Sequence, residues 1–150
     1  MKLLFTLSII TTIALSCNNQ SKQTTLPIIG TWELISATST EKDATVSTFN
    51  PSIKMIKIIN PTHFAFFSHA LGGGKDSANN QFSAGGGSYT LVDSVYTENL
   101  EYFVDPRWEN HQFSFTVILS GDTLTQKGVE KIDSLGIDHI IVERYKKVKH

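Results

Sequence analysis

An antiparallel all-β domain, closed as a sandwich or barrel, is what the patterning of this 150-residue chain predicts. Short runs of alternating apolar and polar residues recur from about residue 28 onward, turn residues separate them, and no convincing long amphipathic helix interrupts them. Closure follows from physics, because a small helix-poor β domain otherwise leaves strand edges unpaired. The spacing of the turn signals leaves room for about 8–10 strands.

The first strand begins at Trp32, where Trp32, Leu34 and Ser36 alternate with Glu33, Ile35 and Ala37. The β-branched run from Ile53 to Ile59 is stopped by Asn60-Pro61. From His63 to His69, Phe64 and Phe66 share one face while His63, Ala65, Phe67 and His69 share the other. Ser88 to Leu91 and Val95 to Phe103 flank Asp93-Ser94, a hairpin turn. The cleanest alternation sets Phe113, Phe115, Val117 and Leu119 against Ser114, Thr116 and Ile118. Gly121-Asp122 then returns the chain into Thr123 to Lys127, and Ile137 to Val148 closes the domain after Gly136. Two stretches read differently. Residues 39–52 are long and polar enough for a short helix or a flap, and Asp105 to Gln112 suits one helical turn with Pro106 near its start. Two glycine triplets, at 72–74 and 85–87, predict a mobile loop from Leu71 to Gly87. They match no phosphate-binding pattern, and the loop is either a gate over a barrel mouth or a plain connector.

At the N-terminus, Lys2 precedes a mostly apolar run from Leu3 to Leu15, and Ala14-Leu15-Ser16 set small residues before Cys17. The run is too short to be a permanent membrane helix and has the layout of a secretory signal. With cysteine at the cut it resembles the lipobox of bacterial lipoproteins, although Ala14 stands where that family more often has leucine. The resemblance implies removal of residues 1–16, lipid on Cys17, a tether over 17–27 and a domain over 28–150. It also implies a place in the cell envelope, at the outer membrane or the periplasmic face. The plainer alternative is a secreted protein with one incidental cysteine. Cys17 is the lone cysteine, so no disulfide and no zinc–thiolate site is expected. With 13 basic and 14 acidic residues and no basic stripe, the chain has no electrostatic case for nucleic acid. Membrane contact is expected through lipid alone, and stable anchoring takes more than one acyl chain.

The two ends of the domain carry a second resemblance. Gly30-Thr31-Trp32, after a polar leader and a proline, resembles the Gly-x-Trp opening of the lipocalin and fatty-acid-binding-protein superfamily. The run from Ile140 to Val148 resembles its closing strand. The resemblance implies a calycin-type barrel closed by Gly30, Trp32 and a basic residue packed across the tryptophan. Strand parity nominates Arg144, with Ile140 and Val142, for that contact. The Arg-x-Tyr carboxylate clamp of fatty-acid-binding proteins does not carry over, because Arg144 and Tyr145 are adjacent and point to opposite faces.

A barrel of this size is either filled by side chains or holds one small ligand. The expected occupant is a small hydrophobic or amphipathic molecule, with no cofactor. Inward residues nominated to touch it are Phe66, Phe115, Tyr96, Glu98 and Tyr102, since Tyr96, Glu98, Leu100 and Tyr102 share one face of a regular strand. If the opposite face is interior, Thr97, Asn99, Glu101 and Phe103 line it and Glu101 takes the place of Glu98. Two alternatives stand beside binding: a filled barrel that works through its surface, and a cavity enzyme using Glu98 or Glu101 as acid or base. No metal site is expected, because His63 and His69 lie about 20 Å apart along one strand.

Overall fold

The computed structural model describes residues 26–72 and 81–149. The expected signal segment, Cys17 and most of the expected tether lie outside the described residues, as do Gly73 and Gly74 of the first glycine triplet. Nine strands form one antiparallel sheet: β1 (Gly30–Glu41), β2 (Ala44–Ser47), β3 (Ile53–Ile59), β4 (His63–Ala70), β5 (Phe82–Val92), β6 (Val95–Phe103), β7 (His111–Ser120), β8 (Thr123–Ile132) and β9 (Ile137–Lys147). Each strand from β3 to β9 pairs with the next, β1 pairs with both β3 and β9, and an eight-stranded barrel closes. This is the all-β closed barrel expected, and it is compatible with a calycin-like fold. Strand β2 stands outside the ring, paired to the far half of β1 as a hairpin, so the polar stretch 39–52 holds a strand rather than a helix. The Asp93-Ser94 and Gly121-Asp122 turns fall where expected, with Asp93 and Gly121 at positive φ as tight hairpins require. Pro106 to Trp108 form a single 3-10 turn, capped by the Asp105 carboxylate accepting from the Arg107 backbone amide.

Two β-bulges decide which side chains reach the interior, and both change the expected parity. In β1, Leu34 pairs with Tyr145 and Ser36 with Arg144, so Ile35 is extra and turns outward. Ala37, not Ser36, then becomes the buried residue. In β6, Leu100 pairs with Gly87 and Tyr102 with Gly86, leaving Glu101 extra. Tyr102 is thereby thrown to the outer face, where it is 69% exposed, and Phe103 turns inward. Glycine is required opposite this bulge. A Cβ on Gly87 would collide with the Asn99 carbonyl, and one on Gly86 would press on the Phe64 carbonyl. The second triplet therefore lies inside β5, paired on both sides, and does not gate the barrel.

One end of the barrel is plugged. Trp32 is wholly buried there, packed with Ile28, Ile59, Phe64, Leu124 and Tyr145. The Trp32 indole nitrogen donates to the Ile28 carbonyl at 2.7 Å. The cation over its ring is Lys147, with Nζ 5.1 Å from the ring centroid and donating to the Ile29 carbonyl. Arg144 is exposed on the outer face, which corrects the expected contact. The odd-numbered residues of β9 face inward, so the parity assumed for Ile140 and Val142 was off by one. Gly30, at φ +144°, leaves room for the Lys147 side chain, which a Cβ would meet at 3.0 Å.

Candidate functional site

Above the plug the barrel is not filled. A cavity of about 290 Å³ opens toward the end that carries the β6–β7 and β8–β9 connections. Its upper wall is aromatic, built from Phe66, Phe103, Trp108 and Phe113, whose rings follow one another at centroid separations of 5.9, 5.8 and 6.1 Å. The inward face of β4 supplies Phe66, the β6 bulge supplies Phe103, and the 3-10 turn swings Trp108 across the opening. That combination, an apolar wall with a few convergent polar groups, is what small-ligand sites are made of.

The polar groups enter from β3, β6, β8 and β9. Lys57 is only 2% exposed, because Ile53, Met55, Lys57 and Ile59 form the inward side of β3. Its ammonium donates to Glu98 Oε1 at 2.8 Å and to Gln126 Oε1 at 2.9 Å, and it lies over the rings of Phe64, Tyr96 and Tyr145. A buried charge needs such partners, since an unpaired one would cost far more than the fold could tolerate. Higher up, the Tyr145 hydroxyl donates to Glu143 Oε2 at 2.6 Å, and Glu130 Oε2 meets His139 Nε2 at 2.9 Å. Burial lifts the Glu130 carboxyl above its ordinary value; the His139 hydrogen bond opposes this, and the nearby Glu143 and Glu98 charges add to it. Burial also raises the phenols of Tyr96 and Tyr145, helped by Glu98 at the first and Glu143 at the second, so both stay neutral. The Tyr96 hydroxyl is buried beside Glu98 yet has no hydrogen-bond partner among the described residues.

Of the nominated contacts, Phe66 and Glu98 line the cavity. Tyr96 and Phe115 face inward but are packed into the core around its floor rather than bordering the open space. Tyr102 is on the outside, and so is Glu101, whose carboxylate accepts from the Ser88 amide and hydroxyl at 3.0 and 2.6 Å. Those bonds hold the Glu101 carboxyl below its usual range and tie it to the sheet surface. Lys57, Gln126, Glu130, His139, Glu143 and Trp108 were not nominated. The inward sets Leu124-Gln126-Gly128-Glu130-Ile132 and His139-Ile141-Glu143-Tyr145 are legible at period two. They mix polar with apolar residues, however, and so imitate a solvent face.

Comparison with family models, with curated proteins and with solved structures finds no match for this chain.

Proposed function

We propose that this protein is a lipid-anchored envelope protein whose lipocalin-like barrel binds a small amphipathic molecule without transforming it. One observation carries the reading: the interior is a cavity of about 290 Å³ that joins an aromatic wall to buried polar groups. A barrel serving only as a scaffold has no reason to keep an ion pair at the bottom of an open cavity, where apolar packing would be at least as stable. The volume is at the small end of ligand sites, with room for on the order of ten water-sized groups, which favours a compact molecule over a long acyl chain. Anchoring rests on the lipobox resemblance around Cys17.

Native mass spectrometry of the purified protein tests both parts. A discrete added mass that organic extraction removes supports binding, and a diacylglyceryl increment on the peptide that begins with Cys17 supports anchoring. A cavity that stays empty after incubation with a panel of small amphipaths would sink the binding reading. A second reading, an acid–base enzyme, draws on the raised carboxyl of Glu130 beside His139 at the cavity. On that reading an extracted molecule is a substrate or product, and fresh protein changes the mass of the substrate form.

A further inference from the structure

The charge lining the cavity is lopsided, and the imbalance specifies a ligand class. Glu98, Glu130 and Glu143 all border the open space, whereas Lys57 is the one lysine or arginine on its wall among the described residues. That lysine is already committed to Glu98 Oε1 and Gln126 Oε1. The Glu98 side chain is only 9% exposed, with Oε1 on Lys57 and the buried Tyr96 hydroxyl beside it. The second oxygens of Glu143 and Glu130 are without a partner among the described residues. Gln126, 2% exposed, has an amide nitrogen that donates to nothing among the described residues. Three carboxylates thus converge on one space, Glu143 and Glu130 with acceptor capacity unused, below a wall of aromatic faces that attract cations.

We propose that the cavity takes a small protonated amine carrying an apolar or aromatic body, its ammonium held by Glu143 and Glu130 and its body against Trp108 and Phe103. The proposal rests on the binding reading above and names its ligand class. An ammonium supplies hydrogen-bond donors to oxygens that have none among the described residues and offsets the excess of carboxylates over the single lysine. A carboxylate or phosphate would add a fourth anion to a poorly solvated space with no free cation among the described residues to meet it. A ligand hydroxyl or carbonyl near the floor could also accept from the Gln126 amide.

Three probes of similar size and different charge test this by calorimetry on the full protein: 2-phenylethylamine, 2-phenylethanol and 3-phenylpropanoate. The amine is expected to bind at least tenfold more tightly than the alcohol, and the carboxylate more weakly than either. Glu143→Gln keeps an acceptor for the Tyr145 hydroxyl. It should lower amine affinity about tenfold, roughly 1.4 kcal/mol, and leave the affinity for the alcohol within twofold. Equal binding of amine and alcohol, or preference for the carboxylate, overturns the amine assignment while leaving cavity binding intact. Failure of all three probes to bind overturns both readings.

Discussion

Replacing Lys57 by methionine removes one charge from the barrel floor and keeps an unbranched side chain one atom shorter. In the native protein the ammonium lies 2.8 Å from Glu98, with side-chain exposures of 3% and 9%. At an effective dielectric of about 20, two unit charges at that separation attract by about 6 kcal/mol. Desolvating each ion costs several kcal/mol, so the intact pair contributes little net stability. The variant loses the attraction while the desolvation of Glu98 remains, and the Gln126 carbonyl loses its donor as well. Breaking a buried pair in this way costs about 3–5 kcal/mol, which with a urea slope near 2 kcal/mol/M moves the midpoint down by about 2 M. Urea unfolding at neutral pH, followed by the fluorescence of Trp32 and Trp108, reads this directly. The double variant Lys57→Met with Glu98→Met removes both ions together and should recover most of the loss, because the remaining floor carries no charge and is apolar apart from Gln126 and the tyrosine hydroxyls. A single variant costing less than about 1 kcal/mol, or a double variant costing the sum of the two singles, would show that the pair is not desolvated as the geometry requires.

The two buried tyrosines should respond in opposite ways. Tyr96→Phe deletes a hydroxyl that has no partner and is expected to leave the urea midpoint unchanged or raise it, whereas Tyr145→Phe deletes the donor to Glu143 and should cost about 1–2 kcal/mol. Equal losses in the two would contradict that assignment. A pH effect is expected from Glu130, whose folded-state carboxyl is raised above its ordinary 4.5, chiefly by burial. The folded protein then holds this proton more tightly than the unfolded chain, so the contribution of Glu130 is most favourable below about pH 4.5 and is lost as pH rises through the raised value. Glu130→Gln cannot ionise but still offers His139 an acceptor. Its stability relative to the native protein should therefore increase from about pH 4 to pH 6 in urea titrations; a constant difference across that range would refute the shift.

Much of the architecture was readable from period and punctuation. The alternation in β7, the Asp93-Ser94 and Gly121-Asp122 turns and the Asn60-Pro61 stop define strands without reference to partners, because side-chain period and turn chemistry are local properties. The interior was less legible, for two physical reasons. The bulges at Ile35 and Glu101 exist because of what lies across the sheet, the close approach of Gly87 to the Asn99 and Glu101 backbone among them. No feature of Asn99-Leu100-Glu101-Tyr102 taken in isolation marks the place where parity breaks. In β3, β8 and β9, moreover, the inward faces carry charges, and a charge reads as solvent until its partner is known. Lys57 and Glu98 are 41 residues apart, and Lys57 and Gln126 are 69 apart. Local patterning was therefore enough to determine that the chain pairs into a closed antiparallel sheet, because each strand and turn carries its own signal. Which residues face the cavity, and that its floor is an ion pair under two further carboxylates, was decided by ring closure and register, which bring together side chains that share no local sequence.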